Sequence, residues 1–201
     1  LRAGMVVVNT NPLYTARELE HQLQDSGAKA IVILENFAHV LQQVLPRTAL
    51  KHVVVTGVGD LLSTPKGMIV NFVLRHVRKQ VPRWKMPGSV SFKNVLGMGL
   101  GLELSPITLG PEDIAFLQYT GGTTGVAKAA VLTHRNMVAN LLQSLVWIRP
   151  ALQAGTGRIV ITALPLYHIF ALTSNCLAFL PLGARNVLIT NPRDFPAFVA
   201  E

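Results

Sequence analysis

The chain has 201 residues, 50% of them hydrophobic and 14% charged, with a net charge of +8. That is long enough to bury a real core, and the apolar balance, with no low-complexity tract or internal repeat, marks a globular protein. Cys176 is the only cysteine; it excludes an internal disulfide, and its apolar neighbours point to core packing rather than a reactive thiol.

Taken in order, Leu1 to Gly4 reads as the end of a helix. Thr15 and Glu18 have the spacing of a capping box. Ala16, Leu19 and Leu23 then give one apolar helix face, which Gly27 closes. Lys29 to Leu34 is a continuous apolar run of strand length. Phe37, Val40, Leu41, Val44 and Leu45 repeat at helical spacing and stop before Pro46. His52 to Thr56 is a β-branched strand. Short apolar strands alternating with helices predict an α/β fold with largely parallel strands.

Residues 60–112 interrupt this rhythm, so the chain divides into an α/β segment (1–59), a basic irregular segment (60–112) and a second α/β segment (113–201). Gly, Pro and Met are frequent in the middle segment, where one helix, over Met68 to Val81, is predicted. From Leu61 to Leu102 there are seven Lys or Arg and no acid. On that helix Asn71, Arg75, Arg78 and Lys79 share one face, and Val70, Val73, Leu74, Val77 and Val81 share the other. A basic amphipathic helix followed by Trp84 fits an anionic bilayer interface, which predicts peripheral membrane contact through residues 66–93. An ordinary surface helix packed on its own domain, with a solvated basic face, is the reading preferred to that contact, because periodicity alone does not separate the two. No nucleic-acid recognition motif accompanies the charge, so nucleic acid is not expected as a partner.

The second α/β segment opens with Ile114 to Tyr119, a buried strand by pattern, and continues after a loop with Ala129 to Thr133. Met137, Val138, Leu141, Leu142, Leu145 and Ile148 predict a strong helix capped by Thr133. Arg158 to Ala163 reads as a strand, Tyr167 to Leu180 as a buried helix, Asn186 to Thr190 as a strand, and a new helix begins near Asp194. Both ends cut through pattern, so the chain is expected to be an internal fragment of a longer protein. No secretory signal is visible. The apolar stretch from Leu164 to Leu182 contains His168, Ser174, Asn175 and two prolines and reads as a buried helix rather than a membrane span.

The loop between the first two strands carries the chemistry. Three glycines and three threonines fill the six positions Thr120, Gly121, Gly122, Thr123, Thr124 and Gly125, and Lys128 follows. Glycine lets successive backbone N–H groups turn inward around an anion, threonine hydroxyls add donors, and a lysine supplies a point charge suited to phosphate. The spacing fails the Walker A pattern, because Lys128 lies between Ala127 and Ala129. No His, Cys, Asp and Glu cluster has metal-ligand spacing, so no metal ligand is assigned. The absence of a Gly-x-Ser-x-Gly elbow leaves serine hydrolase chemistry unsupported.

Tyr119 to His134 resembles the phosphate-loop signature of the adenylate-forming superfamily. Gly121, where many members have Ser, is similar to the bacterial long-chain fatty-acid–CoA ligases. The resemblance extends to Ala163–Leu172, with its Pro-x-x-His pattern, to Val187–Asp194 and to Leu1–Tyr14. Two departures stand out: Ala127 replaces the usual Pro, and Ala129 replaces the usual Gly, where it could crowd a backbone approach to phosphate. The resemblance implies part of the N-terminal domain of an enzyme that activates a fatty acid with ATP to acyl-AMP, then to acyl-CoA with coenzyme A. It implies that Tyr119 to Gly125 and Lys128 bind the ATP phosphates and that Lys128 and His168 act in catalysis. Tyr167, His168 and Phe170 would line the acyl-adenylate pocket. Mg2+ is implied as well, with its Thr-Glu motif outside these residues. The adenine segment and the C-terminal catalytic lysine are also outside, so the fragment itself is expected to be inactive. The implied location is cytoplasmic, or peripheral at the inner face of the membrane if residues 66–93 are interfacial. A nucleotide- or membrane-binding module without chemistry, and a ligase for a different carboxylic acid, remain the alternatives.

Overall fold

The structure is a computed structural model that describes residues 1–121, 126–151, 158–189 and 191–200. In chain order its regular elements are β1 (Val7–Val8), α1 (Ala16–Ser26), β2 (Ala30–Leu34), α2 (Ala38–Val44), β3 (His52–Thr56), α3 (Lys66–Phe72), β4 (Val90–Ser91) and α4 (Phe92–Gly99). They continue with β5 (Ile114–Thr120), β6 (Lys128–Thr133), α5 (His134–Ile148), β7 (Ile159–Thr162), β8 (Arg185–Leu188) and α6 (Phe195–Ala200). These form two compact units, one of 10–106 with 121–128, the other of 1–9, 107–120 and 129–201.

In the unit built on residues 10–106, β2, β3 and β4 form a parallel sheet in that order, with Ala30 opposite His52 and Val54 opposite Val90. Thr15 and Glu18 close the expected capping box on α1, and Gly27 ends the helix in the left-handed region at φ 62°. Leu19 and Leu23 of α1 and Ala38, Leu41 and Val44 of α2 are buried with Val53, Val55 and Met86 in one core. The spacing of those side chains by three and four residues brings them onto one face of each helix. Val32, by contrast, is exposed, so the apolar run of β2 is buried from one side.

The middle segment is more ordered than its composition predicts, because β4 joins the sheet and Ser91 caps α4 through its hydroxyl. The helix predicted over Met68–Val81 is regular only to Phe72 and widens into a π-helix over Val73–Val77. Its expected polar face is solvated at Arg75, Arg78 and Lys79, which are exposed, but not at Asn71. Asn71 is buried; its Oδ1 accepts from the Gly59 N–H at 2.7 Å and its Nδ2 donates to Asp60 at 2.9 Å. Arg75 grips the buried Glu35 carboxylate, with Nε at 3.0 and 2.8 Å from its two oxygens. Val70, Val73, Leu74 and Val81 of the expected apolar face are half-buried, while Met68, Ile69, Phe72 and Val77 are exposed. The cause lies outside the acid-free segment. Glu35 and Asp60 precede it in sequence and claim its polar side chains. Gly59 and Gly67 permit the close crossing, since a Cβ on either would strike the other's carbonyl oxygen.

In the other unit β5 lies between β1 and β6, and it runs parallel to β1 with Val7 opposite Phe116. Ala115, Phe116 and Met137 of α5 form its buried core, and Val7, Leu132, Ile169, Leu172 and Leu177 pack against them. Thr133 caps α5 in a reciprocal pair with Asn136. β7 and β8 pair in parallel. The buried helix expected over Tyr167–Leu180 is instead a π-helix over Ala171–Leu177. Among its described neighbours only Ala171 and Ala178 are buried, while Phe170 and Leu180 are exposed. Polar side chains explain the difference. Asn175 donates to the Ile161 carbonyl at 3.2 Å, and Thr173 Oγ1 donates to the Ile169 carbonyl at 2.8 Å. Among the described residues no helix is long and apolar enough to cross a membrane.

Candidate phosphate and acyl site

Strand β5 delivers the chain from the core to the candidate loop. Ala115, Phe116 and Tyr119 are buried, whereas Thr120 and Gly121 reach the surface. Gly122, Thr123, Thr124 and Gly125 lie outside the described residues. The chain is described again from Val126, and Lys128 opens β6 with an exposed side chain. Its ammonium forms no ion pair with any described residue.

Gln118, one residue before Tyr119, is 6% exposed. A buried amide must find partners, and Gln118 has them on two other segments. Its Oε1 accepts from Asn9 Nδ2 at 3.2 Å, and its Nε2 donates to the Tyr167 carbonyl at 3.3 Å. The end of β5, the segment after β1 and the turn bearing Tyr167, His168 and Phe170 are therefore tied at one point within one unit.

That turn presents His168. The His168 N–H donates to the Pro165 carbonyl at 3.0 Å, and the Leu172 N–H donates to the His168 carbonyl at 3.0 Å. The Phe170 N–H donates to His168 Nδ1 at 3.3 Å. A backbone N–H only donates, so Nδ1 is the acceptor and the neutral ring carries its proton on Nε2. The exposed ring thus offers an Nε2–H donor. Ile169 and Leu172, packed on the core, hold the turn from below. Tyr167 is half-buried and Phe170 exposed, which sets aromatic surface on either side of the imidazole in sequence.

Behind the turn, the fully buried Thr162 donates to Asn186 Oδ1 at 2.5 Å, and Asn186 Nδ2 donates to the Asn175 carbonyl at 2.8 Å. This chain of bonds locks β7 and β8 to the π-helix that follows the His168 turn.

At the far end of the loop, His21 of α1 lies with Nε2 2.9 Å from the Ala127 carbonyl oxygen. Sequence reasoning missed Gln118 and His21. Gln118 did leave a signal, as the lone amide in an otherwise apolar strand. His21 left none, because its partner is 106 residues away. Among the described residues no group of three His, Cys, Asp or Glu could hold a metal ion.

Parallel α/β sheets with a Gly- and Thr-rich loop between β5 and β6 define the class, and comparison with known proteins gives the family. The profile of the AMP-binding enzymes matches residues 1–201, and the chain belongs to that family. It is 59% identical over 201 residues to the long-chain-fatty-acid–CoA ligase of Escherichia coli O6:H1, covering all of this chain and 36% of that protein. It is 30% identical over 190 residues to the ligase of the same description from Bacillus subtilis, covering 94% of this chain and 33% of that one. The chain thus spans about a third of the length of these relatives. Among solved structures, ATP-bound MatB from Rhodopseudomonas palustris shares the fold with a TM-score of 0.68 at 22% identity, covering 99% of this chain and 32% of that one. The long-chain-fatty-acid–CoA ligase of Archaeoglobus fulgidus gives a TM-score of 0.56 at 25% identity, covering 90% of this chain and 30% of that one.

Proposed function

We propose that these residues form the phosphate-binding part of a ligase that joins a long-chain fatty acid to coenzyme A through an acyl-adenylate. The observation that carries this reading is the Gln118 tie, which makes the entry to the phosphate loop and the His168 turn leave one anchored point. A carboxylate is a poor electrophile, and adenylation gives it a leaving group. A carboxylate oxygen attacks the α-phosphorus of ATP, the bond to the β-phosphate oxygen breaks, and pyrophosphate departs with that electron pair. The thiolate of coenzyme A then attacks the acyl carbon and AMP leaves. Negative charge gathers on phosphate oxygens in the first step, and oriented donors and cations stabilise it. Tyr119 to Gly125 wrap the β- and γ-phosphates, and Lys128 neutralises the departing pyrophosphate. His168 donates from Nε2 to the carboxylate or an α-phosphate oxygen, and Tyr167 and Phe170 border the acyl chain. The family resemblance also implies magnesium. The described residues contain no ligand cluster for it, and no step here depends on one.

Fatty-acid-dependent exchange of labelled pyrophosphate into ATP by the full-length enzyme tests the reading. Exchange with palmitate or oleate, and little with acetate or aromatic acids, supports it. Exchange with another acid assigns a different ligase, and ATP binding without exchange assigns a non-catalytic nucleotide module. The 201-residue chain alone is expected to give no fatty-acid-dependent AMP, because positioning supplies much of such catalysis and the rest of the machinery lies elsewhere.

Membrane contact is a second proposal, carried by the exposed side chains of α3 and the π-helical turns after it. Met68, Ile69, Phe72 and Val77 are exposed beside exposed Lys66, Arg78 and Lys79. An apolar strip with a basic border suits the interface of an anionic bilayer. Sedimentation with phosphatidylglycerol vesicles tests it.

A further inference from the structure

His21 is half-buried on α1, and its Nε2 lies 2.9 Å from the carbonyl oxygen of Ala127 in the same unit. A carbonyl only accepts, so Nε2 bears the proton and donates it. Ala127 immediately precedes Lys128. Holding its carbonyl fixes the peptide plane from which the Lys128 backbone leaves and, with φ of Lys128 set by strand β6, the direction of its Cα–Cβ bond. A lysine side chain has four flexible carbons, so the root is the part a protein can aim. Alanine at position 127 imposes no restriction on φ of its own, unlike proline. The imidazole thus holds the loop's exit by a side-chain hydrogen bond.

We propose that His21 is a positioning residue for phosphate chemistry. By donating to the Ala127 carbonyl it anchors the exit of the phosphate loop to α1 and aims the Lys128 ammonium at the pyrophosphate of ATP. This rests on the ligase reading above for the reaction, and on geometry alone for the anchoring.

The test compares His21→Ala, His21→Phe and His21→Gln, each alone and with Lys128→Ala, in the full-length enzyme. Fatty-acid-dependent pyrophosphate exchange, calorimetric binding of inorganic pyrophosphate and the thermal midpoint are measured together. Loss of one oriented hydrogen bond should lower exchange about tenfold in His21→Ala and His21→Phe. His21→Gln places an amide donor near the same point and should recover to within about threefold of wild type. In the Lys128→Ala background, His21→Ala should cost less than about twofold, because the cation it aims is gone. A purely structural role would move the thermal midpoint, give no recovery with glutamine, and add its full cost to Lys128→Ala. Either that additive pattern or wild-type exchange by both His21→Ala and His21→Phe overturns the proposal. If the wild type shows no exchange, the ligase reading fails, and pyrophosphate binding decides about His21 by the same pattern of loss, recovery and non-additivity.

Discussion

Replacing Gln118 by Met keeps the length and burial of the side chain and removes both of its tethers. The two bonds, at 3.2 Å from Asn9 and 3.3 Å to the Tyr167 carbonyl, are at the long end of the useful range. Each is then worth about 0.5–1 kcal/mol net, so the substitution should destabilise the unit by about 1–2 kcal/mol. The Tyr167 carbonyl loses the donor that ties the His168 turn to β5, while Ile169 and Leu172 still hold the turn from the core. The turn should therefore loosen without unfolding. If that looseness is removed again in the transition state, the same 1–2 kcal/mol appears as about a 5- to 30-fold fall in fatty-acid-dependent pyrophosphate exchange. Gln118→Glu is the informative partner. A carboxylate can still accept from Asn9 but has no N–H for the Tyr167 carbonyl, so it should be no better than Met. Exchange kinetics and thermal denaturation on the same preparations decide the matter. Wild-type exchange and an unchanged melting temperature in Gln118→Met would refute the tether.

Lys128→Ala should slow pyrophosphate exchange about 100-fold, roughly 3 kcal/mol of transition-state stabilisation, with little change in thermal stability because the side chain is exposed. Burial pushes the Asp60 carboxyl up, but donors from Gly57, Asn71 and Thr56 and the charge of Lys93 outweigh it and hold it below the ordinary 3.8. A carboxylate depressed by folding stabilises above its unfolded value and loses that contribution as pH falls through its folded value. Urea midpoints should therefore drop as pH falls below about 4, and Asp60→Asn should be less stable at pH 7 and show a flatter acid dependence. For the membrane surface, Arg78→Glu with Lys79→Glu should weaken sedimentation with anionic vesicles about 30-fold at low salt, from ~1 kcal/mol per basic residue. Ile69→Ser with Phe72→Ser should weaken it at any salt, and equal binding by all forms would remove α3 from contact.

Elements written in short-range code were legible in the sequence. The Thr15–Glu18 capping box, the Gly27 stop and the Thr133 cap each act within four residues, and all stand where the pattern places them. The site was legible only in part, for the same reason inverted. The Gly- and Thr-rich loop announces a phosphate cradle by composition, yet what positions its ends does not. Gln118 finds Asn9 and Tyr167 at separations of 109 and 49 residues, and His21 finds Ala127 at 106. Such pairings exist only once the sheets are assembled, and no local pattern encodes them.

The helix at α3 shows where a local rule stops holding, at Asn71. An amphipathic pattern identifies two faces, and the reading that turns the polar one outward assumes that water is its best partner. Here a better partner exists. The buried Glu35 carboxylate needs a cation, and Arg75 supplies a forked donor. The Gly59 N–H needs an acceptor, and Asn71 supplies it from inside the contact. Removing either helix side chain would strand a buried polar group at a cost of about 1–3 kcal/mol, more for the charged one. Asn71 is therefore drawn inward and Arg75 leans from the surface onto Glu35, while Arg78, Lys79, Met68, Ile69, Phe72 and Val77 are exposed. The consequence reaches the proposed membrane contact. Arg75 is paired with Glu35, while Arg78 and Lys79 remain available. A surface of this kind should hold a bilayer by apolar area as much as by charge. Salt, which screens exposed charges beyond about 10 Å at 0.1 M, should weaken its binding without abolishing it.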